Sequence, residues 1–301
     1  MIDIHTHWMI SRSELAKRIK GKRCLSSAYK EEILSVFPDS TDPLPALVQR
    51  SLAFMNRMGI TQSVLLPLDF AGAYNDLMMD VVRAAPRRFW AFGTVDILSK
   101  RAVDDLKAFK RLGLIGLKMY PTVGPYNDKI YFKVYQACEQ FGLPVLFHTG
   151  FSMFKNALSE WTHPLTLDVV AVRYPRLKII VAHTGYPHFH AAMDIGWRHE
   201  NIYFDSCSGG IDAMAELVRM NFEHQCMKSI SRWGSLKKRL IFGSDVFYPY
   251  LGIGPNPAQR FDFEGFFKIQ LKTVRKIKQL QLIWKDFTVN NARRVLGLTS
   301  A

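Results

Sequence analysis

The stretch Met1-Ile2-Asp3-Ile4-His5-Thr6-His7 opens the chain as a short apolar run that carries two histidines two residues apart. In an extended strand, residues i and i+2 point to the same face, so His5 and His7 are predicted to converge on one point in space. This geometry is typical of metal ligands, although two ordinary polar residues at a strand end give the same pattern. A metal site therefore requires further ligands elsewhere in the chain.

The composition is that of a globular protein with a large core, since 48% of the 301 residues are hydrophobic and 22% are charged. No apolar run approaches the ~20 residues that cross a bilayer. No charged-then-apolar leader precedes the first strand, so we expect a cytoplasmic location. The four cysteines, Cys24, Cys138, Cys207 and Cys226, show no CxxC spacing, which favours reduced thiols over disulfides or a cysteine zinc site.

The formal net charge is +14, from 40 Lys and Arg against 26 Asp and Glu. Such a balance attracts anionic small molecules and can also attract nucleic acid or membrane surfaces. The basic residues are spread along the chain in short runs such as Lys17–Arg23 and Lys237–Arg239, which is typical of solvated faces. The charge alone therefore identifies no partner. We expect a small anionic substrate, and neither nucleic acid nor a membrane as partner.

Short apolar runs rich in Val, Ile, Leu and Phe alternate with amphipathic helical segments along most of the chain. The runs are Ser63–Leu68, Phe89–Thr94, Leu114–Lys118, Pro144–Phe147, Lys178–Ala182, Asn201–Phe204 and Arg239–Phe242. With the opening strand they make eight, and apolar strands that alternate with helices indicate a parallel sheet buried on both faces. Eight such units favour an α/β fold of the (β/α)8 TIM-barrel type. No glycine-rich phosphate-binding sequence follows the first strand, which argues against a dinucleotide-binding sheet.

Two segments lie outside this repeat. Residues 8–44 are polar and basic with modest helical periodicity around Ser13–Lys20 and Lys30–Phe37. They are predicted to form an extended loop after strand 1 that acts as a lid or binding loop. Trp284–Leu296 is predicted to be an extra C-terminal helix that closes one end of the barrel. No linker or composition shift divides the chain, so residues 1–301 are predicted to form a single domain.

Three of the predicted strands end on residues that bind metals or transfer protons. His148 and His183 each follow an apolar strand and are each followed by Thr-Gly, and Asp245 follows the last strand. A single histidine in this setting is commonly a hydrogen-bonded core residue, but its repetition favours a shared site. Because the carboxyl ends of barrel strands point into one pocket, these three residues are predicted to meet the opening histidine pair there.

These motifs together resemble a known family. The HxH pair, LFHTG around His148, VAHTGYP around His183, FGSD around Asp245 and the closing Asn290–Leu298 look like the amidohydrolase-related family of metal-dependent TIM-barrel hydrolases. That family also contains the aminocarboxymuconate-semialdehyde and resorcylate decarboxylases. The resemblance covers essentially the whole chain, and the motifs are specific as a set although each is short.

The resemblance implies a ligand set and a catalytic residue. The implied ligands of one divalent metal ion are His5, His7, His148 and Asp245, with His183 catalytic beside it. Imidazoles and a carboxylate suit zinc, with manganese or another transition metal as alternatives. Zinc lowers the pKa of a bound water to about 7. Asp245 would take a proton during attack, and His183 would polarise the substrate carbonyl or protonate the leaving group.

Lys118 ends the fourth predicted strand, in the sequence Gly116–Pro121. In two-metal relatives of the superfamily, a lysine in this region is carbamylated and bridges the metals, whereas the members that this chain most resembles use one metal. Lys118 is therefore a candidate for a second-metal bridge or for a contact to a substrate anion. The alternative is a buried polar residue with a satisfied partner.

Further candidates surround the predicted pocket. The aromatic ones are Trp8, Tyr120, Phe151, Trp161, Tyr186, Phe247 and Tyr248, which would wall a site for a planar or cyclic substrate or else pack on the barrel rim. Arg12 and Arg260 are candidate clamps for a carboxylate. Asp69, Asp96 and Asp205 also end strands and are predicted to orient ligands or loops.

The leading hypothesis is a metal-dependent hydrolase that acts on a carboxylate-bearing ester, lactone or amide. Its main rival keeps the metal and releases carbon dioxide from an aromatic or muconate-like acid, because the same ligands serve both reactions. A metal-dependent nuclease is prompted by the net charge, but such relatives would be expected to carry a glutamate at the position of Lys118. A non-catalytic binding protein would be expected to lack a ligand, and none is missing. Barrels of this family commonly pair, so a homodimer is the candidate assembly.

Overall fold

The computed structural model describes residues 1–39, 42–152, 154–223, 233–248 and 262–298. Its strands are β1 (Ile2–Trp8), β2 (Gln62–Leu66), β3 (Phe89–Ala91), β4 (Leu117–Met119), β5 (Val145–Phe147), β6 (Ile179–Val181), β7 (Ile202–Asp205), β8 (Leu240–Ile241) and β9 (Val246–Tyr248). Its helices are α1 (Arg12–Ile19), α2 (Ser27–Val36), α3 (Leu44–Met58), α4 (Asn75–Ala84), α5 (Ala102–Leu112), α6 (Phe132–Phe141), α7 (Asp168–Arg173), α8 (Phe189–Arg198), α9 (Gly210–Glu223), α10 (Trp233–Leu236), α11 (Phe263–Lys276), α12 (Lys278–Leu282) and α13 (Asn291–Leu296). Every predicted apolar run overlaps one of these strands.

The strands form a closed parallel barrel. Hydrogen bonds join them in the orders β3-β2-β1-β9 and β4-β5-β6-β7-β8. A parallel bridge between Gly93 and Leu117 connects β3 to β4. On the other side, β8 and β9 follow one another along β1, where Ile4 N–H donates to the Phe242 carbonyl and Thr6 pairs with Val246. The predicted (β/α)8 barrel is therefore confirmed, with its eighth strand interrupted between β8 and β9.

Two apolar clusters hold the barrel together. The larger one lies between the strands and the surrounding helices, where residues such as Leu65, Phe147 and Phe204 pack outward. The smaller one fills the barrel interior and consists of Ile2, Ile4, Val64, Leu66, Phe92, Leu146, Ile180, Ala182, Tyr203 and Ile241, together with Ala292, Val295 and Leu296 from α13. The predicted helix Trp284–Leu296 is a π-helical segment, Asp286–Asn290, followed by α13. Helix α13 closes the amino-terminal end of the barrel and leaves the opposite end for the site.

A one-residue bulge in β1 decides which side chains face the barrel interior. Asp3 pairs with Ser63 and Thr6 pairs with Leu65, so three steps along β1 match two steps along β2. A bulge of this kind reverses the alternation of the strand. Ile4 packs in the interior cluster, and His7, three residues later, lines the cavity above it. The same strand thus supplies both the apolar filling of the barrel and the imidazoles of the site.

The segment after β1 is helical rather than an extended loop. Helix α1 begins after Ser11, whose side chain accepts from Glu14 N–H, and α2 begins after Ser26, whose side chain accepts from Tyr29 N–H. Capping by serine stabilises both helix starts. The modest helical periodicity of this segment therefore marked real helices, which pack their apolar faces on the barrel. None of the described helices is long and apolar enough to span a membrane.

Candidate active site

A cavity of about 420 Å³ opens at the carboxyl ends of the barrel strands. Its lining residues are His7, Leu68, Phe70, Lys118, Tyr120, His148, Phe151, Ser152, Phe154, His183, Tyr186, Ser208, Gly209, Asp245 and Phe247. His7 and Lys118 are buried, whereas Phe151 and Tyr186 are exposed. The cavity therefore has a polar floor formed by strand ends and a mouth formed by aromatic loop residues, which is where barrels of this kind carry their sites.

The imidazoles of His5 and His7 are held by hydrogen bonds at Nδ1. His5 Nδ1 donates to Asp205 Oδ2 at 2.8 Å, and His7 Nδ1 donates to the Leu66 carbonyl at 3.2 Å. Because those oxygens only accept, each Nε2 presents a lone pair. Burial lowers the pKa of both rings, that of His5 to about 4 despite the nearby Asp205. Both rings are therefore neutral near pH 7, in the state that metal-binding histidines adopt.

Asp245 points its carboxylate at these two lone pairs. Its Oδ1 lies 3.1 Å from His7 Nε2 and 3.5 Å from His5 Nε2, while Oδ2 accepts from Ser208 Oγ at 2.6 Å. Burial alone would raise the pKa of Asp245, but the neighbouring side chains of His7, His5 and His183 hold it well below its usual value. A carboxylate and two lone pairs thus face one another in a buried space.

This donor set fits one divalent metal ion. The ligand atoms of His5, His7 and Asp245 all lie within 4.8 Å of one another. The buried His5 Nε2 has no hydrogen-bond partner among the described residues. A cation held by these atoms would satisfy that nitrogen and would relieve the repulsion between the lone pairs and the carboxylate. Two imidazoles and a carboxylate are ligands that zinc and neighbouring transition metals prefer.

His148 lies beside this donor set and contacts His183. Its Nε2 donates to the Phe151 carbonyl at 2.8 Å, so its Nδ1 lone pair faces His183 Nε2 at 3.3 Å. Burial and the neighbouring His183 lower the pKa of His148 well below its usual value. Of the four expected ligands, the structure brings three together and turns the fourth, His148, toward the expected catalytic histidine.

Cys207 was missed by the sequence analysis as a site residue. Its Sγ lies 3.0 Å from His183 Nδ1 and 3.1 Å from His5 Nδ1, and it donates to Asp205 Oδ1 at 2.9 Å. Burial raises the pKa of the Cys207 thiol well above its usual value. The neutral thiol therefore packs between the two imidazoles. The sequence feature that indicates Cys207 as a site residue is its position two residues after Asp205, at the end of a strand.

Left-handed backbone is concentrated at the cavity. Among the described residues, five that are not glycine have positive φ: Phe70, His183, Thr184, Ser208 and Asp245. All but Thr184 line the cavity, and Thr184 directly follows His183. Such conformations cost on the order of 1–3 kcal/mol each and occur preferentially at active sites. The backbone thus identifies the same cavity as the donor geometry does.

Lys118 lies on the floor of the cavity with a buried ammonium group. Its side chain is 2% exposed, and Nζ has no hydrogen-bond partner among the described residues. Burial lowers the pKa of Lys118 to about 8, against the opposing influence of Cys207, Asp245 and Asp205. At neutral pH the group still carries its charge for most of the time.

Aromatic rings form one wall of the cavity. Phe70 stacks on Tyr120 with centroids 4.6 Å apart, and Tyr120 stacks on His148 at 4.7 Å. These three residues are called the ring column below. Tyr29 of α2 packs edge-on against Tyr120, and Phe154 packs against both. The segment after β1 therefore supports the cavity wall from outside.

Of the aromatic pocket candidates, Tyr120, Phe151, Tyr186 and Phe247 line the cavity. Trp8 and Tyr248 are fully buried in the outer apolar cluster, because they alternate with the inward-facing His7 and Phe247. Trp161 lies in a 3-10 turn, Ser159–Thr162, away from the lining residues.

The two arginine candidates do not contribute to the described cavity. Arg12 donates from Nε to the carbonyls of Leu34 and Phe37 and pairs with Asp39, so it joins α1 to the end of α2. Arg12 therefore uses Nε and Nη1 within the helical segment, and it is not among the residues that line the described cavity. Arg260 lies outside the described residues.

The three aspartates at other strand ends orient ligands and loops. Asp205 accepts from His5 Nδ1 and also from His183 N–H at 2.8 Å. Asp69 accepts from Thr94 Oγ1 and from the backbone N–H groups of Ala71, Ala73 and Tyr74. Asp96 accepts from Arg23 N–H and Leu98 N–H. Asp205 is thus the one aspartate of these three that touches the donor set.

Comparison with known proteins gives the family. A sequence model of the amidohydrolase family matches residues 2–298. The chain therefore belongs to the amidohydrolase family and is an enzyme of that metal-dependent, TIM-barrel group. No curated protein matches the sequence.

Solved structures share the fold over their whole length. A probable 2-pyrone-4,6-dicarboxylic acid hydrolase from Acinetobacter baumannii is 15% identical with a TM-score of 0.64, covering 98% of both chains. The 5-carboxyvanillate decarboxylase from Sphingomonas paucimobilis is 18% identical with a TM-score of 0.64, covering 99% of both. A dihydroxybenzoic acid decarboxylase from a Polaromonas species, solved with manganese, is 16% identical with a TM-score of 0.62, covering 100% of this chain and 97% of that one. At these identities the likeness establishes the fold alone.

Proposed function

We propose that this enzyme is a metal-dependent hydrolase of a carboxylate-bearing cyclic ester, lactone or amide. The observation that carries the proposal is the convergence of His5, His7 and Asp245 on the floor of a cavity that His183 also lines. Around this polar floor the lining is largely aromatic, which suits a flat cyclic substrate.

We propose zinc as the metal, held by His5, His7 and Asp245. Bound there, the ion would polarise a carbonyl group and lower the pKa of water, which are the two things that hydrolysis needs. His148, whose Nδ1 lone pair is directed at the neighbouring His183, is the remaining candidate ligand. Manganese is the alternative, because the Polaromonas decarboxylase was solved with that ion.

Asp245 and His183 would divide the proton transfers between them. One carboxylate oxygen of Asp245 accepts a hydrogen bond from Ser208, and the other points toward the imidazoles. Asp245 can therefore accept a proton from an attacking water. His183 is held in place by its backbone contact to Asp205 and by the Cys207 thiol at Nδ1. Its Nε2 can then donate to the leaving oxygen or nitrogen.

A second candidate function is decarboxylation of an aromatic acid. It is supported by the aromatic lining and by the likeness to decarboxylase structures. The aromatic part of the cavity disfavours a carboxylate relative to neutral carbon dioxide, so desolvation there assists the loss of that group. In this reaction Asp245 or His183 would return a proton to the ring carbon.

Parallel assays separate the two candidates. The metal-loaded enzyme is assayed with carboxylated lactones, esters and amides by proton release, and with hydroxybenzoic acids by carbon dioxide detection. We expect hydrolysis of a lactone or ester, reduced about 10²- to 10⁴-fold in the variants His183→Asn and Asp245→Asn. Release of carbon dioxide with no hydrolysis of any compound would reject the hydrolase and support the decarboxylase.

A further inference from the structure

Resting on the proposed function, we propose that Lys118 binds an anionic oxygen of the substrate at the cavity floor. The substrate is then a flat cyclic acid whose carboxylate lies next to the bond that reacts. Lys118 would thus determine specificity for monocarboxylates of this shape.

The first argument is the state of the lysine itself. Its Nζ is buried without a hydrogen-bond partner among the described residues, and the carboxylates of Asp245 and Asp205 act on it only from beyond ion-pair distance. A buried ammonium group costs several kcal/mol unless an anion or acceptors surround it. Lys178, by comparison, is partly buried at the closed end of the barrel and donates to the carbonyls of Arg294 and Val295. Lys118 therefore lacks the carbonyl acceptors that the fold provides for Lys178.

The second argument is the place of the lysine in the cavity. Lys118 is the cationic side chain among the described lining residues, and it shares the floor with His7 and Asp245. An anion that contacts Lys118 is consequently held beside the donor set, not at the mouth. The charge of the substrate and its reacting carbonyl must then be close together in the molecule.

The third argument is the shape of the wall. The ring column presents stacked, nearly parallel rings, with interplanar angles of 23° between Phe70 and Tyr120 and 27° between Tyr120 and His148. Phe247 packs against His7 on the side of β9. Aromatic walls accept planar rings through stacking and edge contacts. A planar ring with one carboxylate matches both the walls and the single described cation.

The experiment measures binding instead of turnover. Isothermal titration of the metal-loaded enzyme with benzoate and with neutral benzamide is compared in the wild type and in Lys118→Met. Benzoate affinity is expected to fall about 10- to 150-fold, the range of a hydrogen bond to a charged group, whereas benzamide affinity changes less than about threefold. Lys178→Met is the matched control and leaves both affinities unchanged.

Three outcomes decide the proposal. Selective loss of benzoate binding supports it, whichever bond the enzyme breaks, so a failed hydrolase assay does not affect this test. Equal loss of both ligands, or of neither, overturns it. Two metal ions per chain, together with a mass increase equal to one carboxyl group on Lys118, would also overturn it, because the lysine would then be a carbamate bridge. If Lys118→Met does not fold, Lys118→Gln replaces it with the same expectations.

Discussion

Asp205 and His5 form a fully buried hydrogen bond of 2.8 Å between a carboxylate oxygen and an imidazole Nδ1. Burial alone would raise the pKa of Asp205, but His5 and its neighbours hold it at about 2. The carboxylate is therefore ionised throughout the neutral range and keeps the proton of His5 on Nδ1. This hydrogen bond therefore leaves Nε2 of His5 unprotonated and available to a metal ion.

The variant Asp205→Asn should weaken metal binding about 10- to 100-fold, because an amide no longer favours the required tautomer of His5. Competition with a chromophoric chelator measures the dissociation constant. The control is Asp168→Asn, which alters an equivalent contact of 2.7 Å between Asp168 and His199 outside the cavity. An unchanged affinity in Asp205→Asn would contradict the role of Asp205 in orienting His5.

The structure also predicts that the expected ligands contribute unequally to metal affinity. His7→Asn should lose the metal ion during gel filtration in buffer without added metal, since His7 Nε2 belongs to the converged donor set. His148→Asn should retain the ion with an affinity reduced less than about tenfold, because His148 contacts His183 and Phe151 instead. Elemental analysis of the eluted protein measures both. If the two variants lose metal equally, His148 is a full ligand.

Gly210→Ala should disturb His183 selectively. A Cβ on Gly210 would lie 2.5 Å from the His183 carbonyl carbon and 2.7 Å from its Cα, so the backbone of His183 must move. A displacement on the order of 1 Å can cost about 10²-fold in kcat. Metal content should stay normal, because His5 and His7 are on another strand.

Gly234→Ala is the matched control, since no atom lies within 4 Å of the added Cβ. Steady-state kinetics and metal analysis of both variants test the prediction. A normal kcat in Gly210→Ala would show that the position of His183 does not limit the reaction.

Glu32 connects α2 to the loop beside the cavity. Its carboxylate accepts from Lys155 N–H at 2.9 Å, Asn156 N–H at 3.1 Å and Asn156 Nδ2 at 2.7 Å. Glu32→Ala should therefore speed amide hydrogen exchange at Lys155 and Asn156 about fivefold, as expected for the loss of roughly 1 kcal/mol. Glu31→Ala, at the neighbouring exposed position, is the control, and equal exchange in the two variants would contradict the connection.

The same connection has a defined dependence on pH. Partial burial raises the pKa of Glu32, but the hydrogen bonds from Asn156 and Lys155 outweigh it and the pKa is lowered. A lowered carboxyl pKa means that the contribution to stability is present above the unfolded value of about 4.3 and is lost as pH falls through the folded pKa. Hydrogen exchange at Lys155 and Asn156 should thus be the same in the wild type and in Glu32→Ala only in acid, where Glu32 is protonated.

The strand ends could be read from the sequence because each apolar run stops at the residue that enters the site. His148, His183 and Asp245 follow such runs, and the structure places all three at one cavity. Trp8 and Tyr248 were expected there although each is the direct neighbour of an inward-facing residue. The two-residue period of a strand puts such neighbours on opposite faces, so Trp8 and Tyr248 face the outer apolar cluster.

Other parts of the site carry no local pattern. Phe70 and Phe154 come from loops and reach the cavity through packing with Tyr120, which depends on tertiary structure alone. The ring direction of His148 depends on the Phe151 carbonyl, a backbone atom that sequence patterns do not locate. Periodicity therefore predicts which strands contribute, but not how loops and rings complete the cavity.

The bulge between Asp3 and Thr6 makes β1 a strand with two phases. Without the bulge, strict alternation along the same sequence would put Ile2 and Ile4 on the face opposite to His5 and His7, so one of the two pairs would point toward the outer helices. A hydrophobic barrel centre and a polar donor pair thus cannot both be kept by a regular strand of this sequence. The extra residue of the bulge shifts the alternation by one position. One short strand can therefore place apolar side chains in the barrel interior and, directly after them, imidazoles in the site.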